Sequence, residues 1–237
     1  MLRFLTRHFF LACAGGLPRL CACGEVCAGK SGIISAMKIL VISGSPRGIS
    51  SAPGHENAFV NIPRPGGAVE PVPVDSCSER LADAFIEGAA EAGHDCVKRT
   101  LHALRHIEPC RACYGCIPNG KCVVKDDMQQ LYADFDEAEA VLFVSPIYYA
   151  TLPAQLLAVV NRLYPYWIDG IRYPKLKAAG VIGVCADFGQ SWDIFDRTWR
   201  SIFHEIGWPE KGIVHAPRFM DHANSYLRMA REFGRGF

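Results

Sequence analysis

Four cysteines, Cys110, Cys113, Cys116 and Cys122, fall in the stretch EPCRACYGCIPNGKCVVKDDM with the spacing C-x2-C-x2-C-x5-C. Thiols on so tight a stagger cannot all pair with one another as disulfides. Deprotonated, they can converge on one soft centre, because thiolates suit zinc or an iron–sulfur cluster. The same run also reads as a reduced-thiol loop shaped by Gly115 and Gly120. A second group follows the apolar run KILVIS: Gly44, Ser45, Pro46 and Arg47. Small hydroxyl residues and exposed backbone N–H groups at a helix mouth suit a phosphate, and Arg47 can add a charge-assisted bond. An ordinary Gly-Ser-Pro turn has the same letters. A third group, Pro146, Ile147, Tyr148 and Tyr149, ends the run AVLFVS. It offers a rigid apolar platform for a flat heteroaromatic ring, since two consecutive tyrosines cannot both point into a core. No residue reads as a catalytic acid or base. His106 and His215 have no motif partner, and Asp126 and Asp127 read as a helix cap and a first-turn charge.

The elements that must position these groups alternate. Strands are predicted at Lys38–Ser43, Asp95–Leu101, Ala140–Ser145, Gly180–Cys185 and Gly212–Ala216. Between them, 3.6-residue periodicity predicts helices over Ser78–Ala92, Asp127–Glu137, Pro153–Tyr164, Ser191–Ile206 and Phe219–Phe233, with Ser78 and Asp126 as N-caps. Near-continuous apolar strands alternating with helices imply a parallel sheet covered on both faces. The fold class expected is α/β, doubly wound and five-stranded. Ligands in such folds bind beyond the carboxyl ends of the strands, where GSPR and SPIYY both lie.

The chain has 237 residues, half of them hydrophobic, and a formal net charge of +1 from 25 basic and 24 acidic side chains. Nothing in that balance attracts nucleic acid or an anionic membrane, and no apolar run reaches the ~18 residues of a membrane span. Eleven cysteines is an odd count, and their clustering argues against a secreted disulfide framework; a cytoplasmic location is expected. Residues 1–36 do not read as part of the fold. Three readings compete: a start assigned upstream of the real one at Met37, a targeting peptide carrying Arg3 and Arg7 before FFLACAGGL, or an extra cluster of Cys13, Cys21, Cys23 and Cys27. Gly24, Gly29, Lys30 and Ser31 match a phosphate-loop pattern. The required strand before it and helix after it are missing, so the match reads as chance. The folded domain is expected over 37–237, with a Pro- and Gly-rich surface insertion at 48–75 and a cysteine-rich loop at 108–127.

GSPR after the first strand, the cysteine loop ending in DDM, and SPIYYATLPAQLLAVVNRLYP, in that order, resemble the NADPH-dependent FMN reductase and iron–sulfur flavoprotein group of the flavodoxin-like superfamily. The resemblance runs from Met37 to about Arg218. It implies sheet order 2-1-3-4-5, FMN at the strand ends, reduction by NADH or NADPH, and electron transfer to a flavin, quinone, other small molecule or protein acceptor. A non-catalytic electron carrier reduced by a ferredoxin-like partner is the alternative. By the same resemblance Ser45, Arg47, Ser76 and Ser78 hold the flavin phosphate, Pro146, Ile147, Tyr148 and Tyr149 flank the ring, and Ala186, Asp187, Phe188 and Gly189 close over it. Cys110, Cys113, Cys116 and Cys122 match ligands of a [4Fe-4S] cluster, and a homodimer or homotetramer is implied. Two departures stand out: the 48–75 insertion, which makes Ser50 and Ser51 rival phosphate ligands, and Cys77, which takes a position usually held by Asn.

Overall fold

The structure, a computed structural model, describes residues 35–47, 59–63, 67, 69–73, 75–104, 106–118, 120–167, 176–185 and 192–237. All belong to one unit, Ile34–Phe237. Residues 1–34, with the phosphate-loop-like match and the N-terminal cysteines, lie outside the described residues, as do Ser50, Ser51 and Ala186 to Gly189.

Strands β1 (Lys38–Ser43), β4 (Asp95–Thr100), β5 (Ala140–Pro146), β6 (Ala178–Cys185) and β7 (Glu210–Pro217) form one sheet in the order β4-β1-β5-β6-β7. Every pairing in it is parallel. Counted among themselves the strands run 2-1-3-4-5, the flavodoxin-like order expected. Strand periodicity divides the core. Ile39 and Val41 face helices α1 (Cys77–Glu91) and α6 (Ala223–Arg235), together with Leu81, Phe85 and Ala230. Leu40 and Ile42 face α2 (Met128–Glu137), α3 (Ala154–Asn161), α4 (Tyr164–Trp167) and α5 (Trp192–Ile206), where Phe135, Leu156, Trp199 and Phe203 pack.

Several boundaries differ from expectation, each for a local reason. Helix α1 begins at Cys77, capped by Ser76 rather than Ser78, because Ser76 Oγ accepts the Glu79 N–H at 3.3 Å. The helix expected over Pro153–Tyr164 ends at Asn161 and restarts at Tyr164. Pro165 has no N–H to give back to Asn161 and its ring crowds that carbonyl. The last helix is delayed to Ala223, behind a 3-10 turn at Phe219–Asp221 that follows Arg218 in left-handed backbone. The insertion holds an antiparallel hairpin of β2 (Phe59–Pro63) and β3 (Val69–Pro73), which sequence did not reveal. Pro63, Pro71 and Pro73 lie in those strands, and proline removes a ladder donor and so masks a strand pattern.

Candidate functional site

The parallel sheet ends in a cavity of about 570 Å³, within the range of small-molecule sites. Its walls bring together Ser45, Arg47, Ser76, Ser78, Pro146, Ile147 and Tyr148 from three separate stretches of chain. The closeness of β1 to α3 starts the arrangement. A Cβ on Gly44 would stand 2.8 Å from Leu156 Cδ2, so glycine lets the chain turn out of the sheet. Ser45, buried, then meets the buried Ser76: Ser76 Oγ donates to Ser45 Oγ at 2.8 Å, and Ser45 Oγ accepts the Arg47 N–H at 3.1 Å. The two hydroxyls carry two protons and use one between them, leaving one for a ligand oxygen. The N–H groups of Cys77 and Ser78 precede the first backbone bond of α1, from Arg80 N to Ser76 O. They are among the donors a helix start leaves unpaired. With the dipole of a 15-residue helix behind them and Arg47 beside them, they make this end of the cavity an anion seat.

The other end is apolar. Pro146, buried Ile147 and Tyr148 leave β5, and Tyr148 and Thr151 bond each other through both N–H groups at 3.0 Å. Tyr149 and Ala150 between them have φ of 53° and 61°, the pattern of a type I′ turn. Tyr149 is 99% exposed and does not line the cavity. The far wall was not foreseen: Val184, Cys185 and the strap Arg218–Asp221. Arg218 pairs with Asp221, and Phe219 lies under the Arg80 guanidinium at 5.1 Å from its ring centre. Only the left-handed Arg218 could have flagged this strap, and φ is invisible in sequence.

Cys77 also lines the cavity, 3.9 Å from Met220 Sδ. Burial pushes its thiol up, against the pull of Arg47 and Arg80, so it stays protonated at neutral pH and is a poor nucleophile. His215, without a motif partner in the sequence, has two neighbours in the fold: Asp196 Oδ1 at 2.6 Å and the face of Trp192 at 4.1 Å. A groove of about 590 Å³ between α1 and α6 is slightly larger. It lies on the flank of the sheet, and Arg231 and Arg235 on its wall already pair with Glu91.

The four loop cysteines line one small cavity of about 20 Å³ with Tyr132 and Arg162, and none is in a disulfide. Ala112 and Tyr114, between successive cysteines, take left-handed backbone at φ 51° and 55°. Burial pushes the Cys116 thiol up, and the other three add to that shift. Among the described residues no three His, Cys, Asp or Glu side chains close around a single ion. A group of several irons takes one thiolate per corner iron and so asks for donors spread wider than one ion does. Four thiols lining one cavity are the donor chemistry that an iron–sulfur group takes. The loop is closed at its base: Asp126 Oδ2 accepts the Glu108 N–H at 2.9 Å, and His106 and Asp127 exchange two bonds of 2.9 and 3.0 Å. Asp126 is not the N-cap of α2: the helix starts at Met128 and its N-cap is Asp127, whose side chain makes no cap bond. Asp126 Oδ1 accepts the Met128 N–H at 3.2 Å from one residue further out, and its main partner is Arg162, 36 residues away.

Sheet order, layering and a cavity beyond the carboxyl strand ends define a flavodoxin-like protein. The family described as NADPH-dependent FMN reductase matches residues 37–208, and the chain belongs to it. It is 31% identical over 119 residues to an iron–sulfur flavoprotein of Archaeoglobus fulgidus, covering 49% of this chain and 52% of that one. It is likewise 31% identical over 84 residues to an iron–sulfur flavoprotein of Methanosarcina thermophila, covering 35% and 44%. The chain thus spans about half the length of the curated relatives it matches. The solved NAD(P)H:quinone oxidoreductase of Methanothermobacter marburgensis shares the fold, with a TM-score of 0.63 over 85% of this chain and 96% of that one, at 18% identity. Among the described residues no helix is long and apolar enough to cross a membrane.

Proposed function

We propose that the protein is an FMN-dependent oxidoreductase that takes electrons from NADH or NADPH and passes them to a flavin, a quinone or another small acceptor. The observation that carries this reading is the cavity with an anion seat at Ser45, Arg47, Ser76 and α1 and an apolar platform at Pro146–Tyr148. FMN is a flat ring joined to a terminal phosphate, and the two ends suit its two parts. The larger FAD would have to carry an adenylate outward past the anion seat. When bound, FMN supplies the hydride and one-electron chemistry. The chain's own residues bind and orient. The spare hydroxyl proton of the Ser45–Ser76 pair, the Cys77 and Ser78 N–H groups and Arg47 hold the phosphate; Ile147 and Tyr148 set the plane of the ring and keep water from one side. The Cys77 thiol, protonated, fills the wall without competing as a nucleophile.

Cys110, Cys113, Cys116 and Cys122 would hold a [4Fe-4S] cluster, which supplies single-electron transfer when bound. The thiol cavity and the likeness to iron–sulfur flavoproteins also support a second reading, a carrier reduced by a ferredoxin-like protein rather than by a nicotinamide. Stopped-flow mixing of anaerobically purified protein with NADPH, NADH and reduced ferredoxin separates the two. Fast bleaching of the flavin bands by a nicotinamide is the expected result. Bleaching by ferredoxin alone selects the carrier, and protein without flavin overturns both.

A further inference from the structure

The Arg162 side chain is spoken for at every nitrogen but one. Nη1 donates to the Glu108 carbonyl at 2.9 Å and to Asp126 Oδ2 at 2.8 Å, and Nη2 donates to Asp126 Oδ1 at 3.1 Å. Both charged side chains are only 1% exposed. The Arg162 carbonyl accepts the Tyr132 hydroxyl at 2.5 Å, which holds the backbone beneath the loop. Because Asp126 also takes the Glu108 N–H, this ion pair ties the two ends of the cysteine loop at one point. It does so whatever the cysteines hold.

The remaining donor is Nε. It is buried and has no hydrogen-bond partner, although Arg162 lines the same cavity as Cys110, Cys113, Cys116 and Cys122. A guanidinium N–H left unpaired away from water is costly, and buried donors in native proteins almost always have an acceptor. Besides the Tyr132 hydroxyl, which already donates to the Arg162 carbonyl, the cavity offers sulfur as acceptor chemistry. Cys122 is close enough that a thiolate there adds to the field on the guanidinium.

We propose that Arg162 is a positioning residue for the thiolate-bound group: with Asp126 it holds the cysteine loop closed, and its Nε–H and positive charge are directed at the sulfurs of that group. The proposal rests on the reading that the four cysteines hold an iron–sulfur cluster. Partners of metal ligands fix those ligands and tune the metal, and hydrogen bonds to cluster sulfurs and nearby charge set its potential. A donor and a cation beside the sulfurs favour the reduced, more negative state, so Arg162 raises the midpoint potential of the cluster.

Two variants test this in the full chain, reconstituted anaerobically with ferrous iron and sulfide. Arg162→Lys keeps a positive charge and loses the planar fork. The double variant Arg162→Gln with Asp126→Asn removes both charges, so no buried carboxylate is stranded. Flavin content and the flavin midpoint report whether the fold and the first site are intact. The double variant is expected to bind iron about 10-fold or more weakly at unchanged flavin content. Whichever variant loads is expected to show a cluster midpoint more negative than the parent's, with the flavin midpoint unmoved. A variant that loads like the parent at the same cluster midpoint overturns the proposal alone. A parent that takes up no iron overturns the cluster reading, and the proposal with it.

Discussion

Ser45, Ser76 and Arg47 converge on one anion seat, and each can be removed singly. Arg47→Ala is expected to weaken FMN binding by about 1.5–3 kcal/mol, the range of a bond to a charged group. Fluorescence titration of the apoprotein measures it, and an unchanged dissociation constant moves the phosphate elsewhere. Ser76→Ala should act twice, on FMN affinity and, through the lost cap of α1, on the stability of the flavin-free protein by about 1 kcal/mol. The buried Asp126 yields a pH prediction. Burial alone would raise its carboxyl, but the Arg162 guanidinium and the N–H groups of Glu108 and Met128 hold it below its ordinary value of 3.8. A carboxyl lowered in the folded state gives stability that is present above the unfolded value and lost as pH falls through the folded one. Urea midpoints should therefore drop below about pH 4. Asp126→Asn should flatten that limb and cost about 3–5 kcal/mol near neutrality by stranding Arg162. The sequence offered Asp126 only as a cap, because Met128 is two residues away while Glu108 and Arg162 are 18 and 36 residues off. A long-range ion pair leaves no spacing to read. Cys77 is similar: by sequence it stands apart from the cysteine loop, and the fold sets it with Cys185 in the cavity beyond the strand ends, so Cys96 is the one of these three that lines neither cavity.

At the scale of elements, α1 and α6 approach so closely that glycine is required at the contact. A Cβ on Gly88 would stand 1.9 Å from the Arg231 carbonyl oxygen, and one on Gly234 would stand 2.1 Å from that of Phe85. These are backbone atoms and cannot rotate aside. Gly88→Ala is expected to push α6 outward and destabilise by about 1–3 kcal/mol or more, read as a lower urea midpoint. A midpoint equal to the parent's would mean the helices have room that this geometry denies. The Tyr148–Thr151 turn gives the opposite sign. Ala150 at φ 61° bears a left-handed conformation that glycine adopts freely. Ala150→Gly should stabilise by up to about 1 kcal/mol, less the added freedom of the unfolded chain. The central sheet strands β1, β5 and β6 were readable because each is an apolar run between turn residues, and β5 and β6 are buried throughout except Pro146; the edge strands β4 and β7 carry charged residues and followed from the alternation of strands with helices. The β2–β3 hairpin was not readable, since prolines break the alternation that identifies a strand. Helix boundaries slipped at Pro165, whose missing N–H and ring break the helix, and at Arg218, where left-handed backbone decided and side-chain type did not.

For the molecule as a whole, topology does what local pattern cannot. Parallel strands with helices on both faces bring residues 45–47, 76–78, 146–148 and 218–221 to one edge of the sheet. Two of those four segments, 45–47 and 146–148, were legible in the sequence because turns after apolar strands fall at the carboxyl edge in a doubly wound fold; 76–78, at the start of α1, was expected only from the family resemblance. The fourth follows β7 and needed the third dimension. Among the described residues the first buried one is Met37. Its side chain is 9% exposed, its N–H donates to His94 Nδ1 at 3.1 Å, and its carbonyl accepts the Asp95 N–H at 2.9 Å. Ile39, two residues on, is fully buried in the face that α1 and α6 cover. A chain starting at Met37 keeps all of these bonds, since an amino group there can still donate to His94. Such a chain is expected to fold, to bind FMN with the affinity of the full chain, and to unfold within a few tenths of a kcal/mol of it, as surface changes away from packed features do. Urea unfolding and FMN titration of the two chains side by side test this. A Met37 start that is insoluble, or that binds FMN ten times more weakly, would show that residues before Met37 contribute to the domain or to its flavin cavity.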